Sequence, residues 1–146
     1  MTNSRTMIIA ATLSGLIGTS APAQTDGDTM TRINVILDGQ TLTATLDDSI
    51  AGQDFAAMLP LELTLSDYHG IEKIADLPRE IDRSDAPESY QPEAGDITVY
   101  APWGNLAIFY KPFQESRGLI RLGAFDGPVD ALIRDGEFPV RIERAD

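Results

Sequence analysis

Apolar and polar side chains alternate with a period of two over much of the chain beyond residue 31. That spacing sends successive side chains to opposite faces of a strand. Ile33, Val35 and Leu37 alternate with Arg32, Asn34 and Ile36, and Leu42, Ala44 and Leu46 alternate with Thr41, Thr43 and Thr45. Asp38-Gly39 separates the two runs. An Asp-Gly pair suits a two-residue hairpin turn, whose central positions need a left-handed backbone, so a β-hairpin is predicted here.

Asp48 or Ser49 supplies a side-chain oxygen able to cap a helix, and Ile50, Phe55, Met58 and Leu59 fall largely on one helical face. Pro60 ends that segment, because the residue before a proline is pushed out of the α region. Leu61, Leu63 and Leu65 begin another alternating strand, and Ile97 with Val99 opens a further one. Pro102-Trp103-Gly104-Asn105 reads as a turn. Residues 106–110 are almost entirely apolar, the pattern of a strand covered on both faces. Residues 119–125 form another strand. Gly127-Pro128 opens a second short helix holding Val129, Leu132 and Ile133 and ending near Gly136. Phe138, Val140 and Ile142 make the last strand. Residues 72–96 carry eight acidic and three basic side chains with Pro78, Pro87 and Pro92, and are predicted to be an irregular surface stretch. Seven strands and two helices without an internal repeat favour a small β-barrel or sandwich.

The first 31 residues follow another logic. Residues 1–6 carry one charge, Arg5, residues 7–18 are apolar and uncharged, and Ala21-Pro22-Ala23 has the small-x-small pattern of a signal-peptidase site. The apolar run is shorter than the roughly 20 residues that span a bilayer as a helix. Residues 1–23 are therefore expected to be a signal peptide, 24–31 a flexible lead-in, and 32–146 the folded domain of an exported protein, periplasmic or secreted.

Composition narrows the function. The chain has 146 residues, 42% hydrophobic and 23% charged, which suits one globular domain. Its 11 Lys+Arg against 23 Asp+Glu give a formal net charge of -12. That balance argues against a nucleic-acid partner and against charge-driven binding to an anionic membrane. It is compatible with a soluble monomer. Cysteine is absent, which excludes disulfides, thiolate metal sites and a cysteine nucleophile.

A family resemblance runs through the segments in order. It is carried by Leu59-Pro60-Leu61 with Leu63, then Asp67-Tyr68, Glu72-Lys73, Leu77-Pro78 and Gly95-Asp96-Ile97. Pro102-Trp103-Gly104-Asn105-Leu106-Ala107-Ile108-Phe109-Tyr110 and Leu119-Ile120-Arg121-Leu122-Gly123 complete it. Over roughly residues 32–143 the chain resembles the bacterial cyclophilin-like domain family, small cyclophilin-fold barrels of unassigned activity. The resemblance implies a mainly β, closed barrel of about eight strands with two short helices. Periodicity supplies seven strands, so one is missing, around Leu77 or within 82–96. The resemblance does not carry prolyl isomerase activity. The catalytic Phe-His-Arg and Phe-Met-x-Gln-Gly-Gly segments of true cyclophilins have no match here, and the single histidine, His69, precedes Gly70. An isomerase would need another arginine in an apolar pocket, and Arg117, Arg121 and Arg141 are the options.

Five of the ten aromatic residues, Tyr100, Trp103, Phe109, Tyr110 and Phe113, lie between positions 100 and 113. An exposed Trp beside an amide is a ligand platform. The candidate ligand-binding residues are Tyr68, Tyr100, Trp103, Asn105, Phe109 and Arg121. The alternative is that Phe109 fills the barrel and Trp103 covers one end. Tyr68, His69 and Glu72 place a phenol, an imidazole and a carboxylate together, but without a nucleophile, and Glu72 beside Lys73 reads as an ion pair or cap. Asp82, Asp85 and Glu88 lack the spacing of a calcium loop and read as a solvated acidic loop. No glycine-rich phosphate loop or serine elbow is present, so no catalytic residue, metal ligand or cofactor is assigned. Two functions follow. The first is a non-catalytic module binding a small molecule or peptide. The second is a prolyl isomerase with a rearranged site.

Overall fold

The computed structural model describes residues 30–145, so the expected signal peptide and nearly all of the lead-in lie outside the described residues. In chain order the elements are β1 (Thr31–Leu37), β2 (Gln40–Leu46), α1 (Ile50–Met58), β3 (Leu61–Tyr68), β4 (Glu72–Asp76), β5 (Ser89–Tyr90), β6 (Asp96–Tyr100), β7 (Asn105–Phe109), β8 (Ser116–Arg117), β9 (Leu119–Phe125) and β10 (Phe138–Arg144). Eight of them close into a barrel in the order β1-β10-β3-β4-β7-β6-β9-β2, with every neighbouring pair antiparallel. β5 and β8 form a separate two-stranded ribbon.

The predicted hairpin is β1–β2. Its turn residues Asp38 and Gly39 both have positive φ, 48° and 71°. The alternating apolar positions are the barrel interior: Ile33, Val35, Leu46, Leu65, Leu106, Leu122, Val140 and Ile142 are all buried there. α1 covers one end. Ser49 is its cap, with Oγ accepting from the Gly52 N–H at 2.9 Å, and Phe55 and Ala56 are buried against the core.

Two expectations need correction. The eighth barrel strand is β4, within the stretch expected to be irregular. It does not alternate because both of its faces are occupied: Lys73 and Ala75 are buried, and Ile74 packs in a second apolar cluster. The second helix is a single 3₁₀ turn, Asp130–Leu132. Val129 at its start has no side chain able to cap it, and only Val129 and Leu132 are buried while Ile133 is half exposed.

β7 is buried on both faces, as its apolar run predicts. Leu106 and Ile108 belong to the barrel core, whereas Ala107 and Phe109 join Leu119 in the second cluster. Ile71, Ile74, Tyr90 and Tyr100 pack around that cluster. The outer face of β4, β7, β6 and β9 therefore carries an apolar cluster of its own. It is partly covered by the β5–β8 ribbon, whose two sides are joined where the Phe113 N–H donates to Pro92 O and the Gly118 N–H donates to Glu88 O.

Candidate functional site

The part of this outer face left open is a cleft of about 620 Å³. Its floor comes from β4 and β7 through Glu72, Ile74, Asn105 and Phe109. Tyr68 and His69, at the β3–β4 turn, make one wall, and residues 113–117 with Leu119 make the other. Tyr100 and Trp103 close one end. The β6–β7 hairpin presents Trp103. Gly104 is left-handed at φ 66°, and the N–H groups of Trp103 and Gly104 both donate to Tyr100 O. The indole is 60% exposed yet oriented by two edge-to-face contacts, with Tyr68 at 5.7 Å and Tyr100 at 5.4 Å between ring centroids. Phe113 stacks on Phe109 at 6.4 Å, so the far wall is aromatic too.

Five of the six candidate ligand-binding residues, Tyr68, Tyr100, Trp103, Asn105 and Phe109, line this one cleft. Phe109 does not fill the barrel but belongs to the outer-face cluster, and Trp103 is exposed beside it. Arg121 stands apart. Its Nε donates to Asp47 Oδ2 at 2.8 Å, and Nη1 reaches Asp96 Oδ1 at 3.1 Å and the Tyr90 hydroxyl at 3.3 Å. The Tyr90 hydroxyl donates to Asp96 at 2.5 Å. This network ties β9 to the end of β2, to β6 and to the ribbon. Arg141 is held by Glu62 and Glu143, away from the cleft. Arg117 does line the cleft, with an exposed side chain 3.2 Å from Glu88.

Asn105 is buried, and its Nδ2 donates to Leu106 O at 3.1 Å. Its Oδ1 finds no donor among the described residues. A buried acceptor left unpaired costs about 1–3 kcal/mol.

Glu72 is the residue that sequence reasoning misjudged. It forms no ion pair with Lys73, because neighbouring residues on a strand face opposite ways. Lys73 turns inward to Asp67, and Glu72 turns into the cleft. Half-buried with no cation beside it, the Glu72 carboxyl is pushed up to about 7 by desolvation. His69, also in the cleft, has a left-handed backbone at φ 54° that the following Gly70 continues. The acidic loop residues act separately: Asp82 accepts from Ser84, Asp85 accepts from the Ile50 N–H at the start of α1, and Glu88 meets Arg117. Among the described residues no group of three or more His, Asp or Glu side chains is placed to hold a metal ion.

Glu72 gives a pH dependence of stability with a definite sign. Its folded pKa lies above the ordinary 4.5, so the native state binds the proton more tightly than the unfolded chain. Its contribution to stability is full below pH 4.5 and is lost as pH rises toward 7. With solvent screening at this half-open site, about 1–2 kcal/mol is at stake. Urea unfolding from pH 4 to pH 8 is expected to show this decline in the native protein and a flatter profile in Glu72→Gln. Parallel profiles would show that Glu72 is solvated in both states.

The fold and cleft place the protein in a recognisable class. The Cyclophilin-like family model matches residues 35–143, and the chain belongs to that family. It is also similar to the solution structure of a hypothetical protein from Archaeoglobus fulgidus, at a TM-score of 0.58 and 15% identity over 83% of this chain and 99% of that one. At that identity the likeness concerns the fold. No curated protein matches the chain.

Proposed function

We propose that this protein is an exported, non-catalytic binding module that holds a small molecule or a peptide segment in the outer-face cleft. The observation that carries this reading is Trp103, which is 60% exposed and oriented by two aromatic neighbours at the edge of the cleft. A large exposed indole is costly to leave in water and gains when a ligand covers it.

The test is an NMR titration of residues 24–146, which contain the whole barrel, with a panel of X-Pro peptides and small aromatic amides. The single tryptophan gives one indole N–H signal. Ligand-dependent movement of that signal without faster cis/trans exchange is expected. Trp103→Ala is expected to remove binding and to shift the melting temperature by only about 2–4 °C, since an exposed side chain contributes little to the core. A fall of more than about 10 °C would show the ring to be structural.

Arg117 favours a second reading, because it is an arginine on the cleft rim. A guanidinium there could hydrogen-bond a proline nitrogen during X-Pro rotation. Accelerated exchange abolished by Arg117→Ala would establish the isomerase instead.

A further inference from the structure

We propose that the cleft selects a ligand bearing a positively charged nitrogen, an alkylammonium or guanidinium group, seated against the Glu72 carboxylate and the neighbouring aromatic rings. The inference rests on the binding reading above and names the ligand chemistry it requires.

Register puts the carboxylate among the rings. Glu72 pairs across the ladder with Tyr68 on β3 and with Phe109 on β7. Directly opposed residues share a sheet face, so all three side chains point into the cleft. Trp103 stands edge-to-face against Tyr68 at 5.7 Å. A half-buried carboxylate set among aromatic side chains can take an organic cation, because ring quadrupoles and the anion attract the same charge.

The protein does not fill this seat itself. Lys73, adjacent in sequence, is buried on the opposite face and donates to Asp67 at 3.2 Å and Arg134 O at 2.6 Å. The other titratable groups facing the cleft are Tyr68, His69, Tyr100, Glu115 and Arg117. Glu115 adds a second carboxylate, engaged by the Ser89 hydroxyl at 2.9 Å. Arg117 is the one permanent cation lining the cleft among the described residues, and its charge is met by Glu88. Local charge thus favours a cation over an anion, and the net charge of -12 draws cations toward the surface. Desolvation that holds the Glu72 carboxyl near 7 is relieved when a cation arrives, so cation binding and proton release are linked.

The test uses residues 24–146 and follows the Trp103 indole signal. The probes are N-acetyl-lysine methylamide and N-acetyl-arginine methylamide, the neutral isostere N-acetyl-norleucine methylamide, the anionic N-acetyl-glutamate methylamide, and free n-butylamine. Lysine and arginine amides are expected to bind at least tenfold more tightly than the norleucine and glutamate amides. Their affinity is expected to fall about tenfold from pH 8 to pH 6, as Glu72 takes up its proton. Glu72→Gln is expected to abolish both the charge preference and the pH dependence. Butylamine binding as well as the lysine amide would identify a free amine as the ligand source. A tenfold gain from the amide groups would identify a peptide side chain. Equal binding of norleucine and lysine amides, or unchanged preference in Glu72→Gln, overturns the cation inference and leaves the binding module standing. Preference for the glutamate amide overturns it in favour of Arg117. If no probe or X-Pro peptide moves the indole signal, the binding reading itself fails, and the cation inference with it.

Discussion

Gly123→Ala is expected to lower the melting temperature by about 15–25 °C. Gly123 sits on β9 opposite Leu46, in the seam where β9 meets β2 and the barrel closes. A Cβ there would lie 2.2 Å from Thr45 O and 2.7 Å from the Leu46 Cα. Both are backbone atoms, so no side chain can swing away to make room. The seam has three paired positions, fewer than the seven of β1–β2, and moving β2 outward would open it. Overpacking in cores costs about 1–3 kcal/mol where side chains adapt. With backbone as the obstacle, about 3–5 kcal/mol is expected, and near this chain length each kcal/mol moves the midpoint by roughly 4–6 °C. Calorimetry measures it directly. Gly127→Ala is the control, since nothing lies within 4 Å of a Cβ at that position. A Gly123→Ala protein within about 1 kcal/mol of the native one would show that β2 and β9 are not packed as described.

The same physics decides which parts of the fold could be read from sequence. Strands with one wet face and one buried face carry their period openly, and β1, β2, β3 and β10 were legible for that reason. β7 was legible because both faces are apolar. β4 was not. Its interior position at Lys73 is a buried lysine and its outer position at Ile74 is apolar, so inside and outside are reversed in polarity. The cleft inherits that difficulty. Tyr68, Tyr100, Trp103, Asn105 and Phe109 could be chosen as aromatic and turn residues, and they line one cavity. Glu72 reads as Lys73's partner until the strand exists to turn the two apart. Arg121 looked free in sequence because Asp47, Tyr90 and Asp96, which hold it, lie 74, 31 and 25 residues away. Phe113, Glu115 and Arg117 reach the cleft only through the β5–β8 ribbon, two residues per strand, too short for any period to show.

Lys73 carries the second large effect. The residue is 1% exposed inside the barrel wall, a place where an ammonium persists only if its donors are met. They are met by Arg134 O at 2.6 Å and Asp67 Oδ1 at 3.2 Å, with the rings of Tyr110 and Phe138 each 5.6 Å away. Lys73→Met keeps the length and removes the charge. It strands Arg134 O and deprives Asp67 of its cation, at an expected cost of about 2–3 kcal/mol, near the low end for broken buried pairs because Asp67 keeps solvent contact. Asp67 supplies the discriminating measurement. Its carboxyl is held below the ordinary 3.8 by the Tyr110 hydroxyl first, then by the Gly70 N–H and Lys73, against the opposing effect of desolvation. A depressed acid pKa stabilises the fold above its unfolded value, and that contribution is lost as pH falls through the folded value. The gap between native protein and Lys73→Met is therefore expected to narrow as pH falls below 3.8 and through the lower folded value, where Asp67 takes a proton and the pair is broken in both. Urea unfolding of Lys73→Met, Asp67→Asn and the double variant at pH 7 is expected to give a coupling of at least about 1 kcal/mol. Zero coupling with a constant gap across pH would mean that Lys73 acts through its methylenes alone. A more stable Lys73→Met would mean that the barrel holds this charge at a net cost to its own folding.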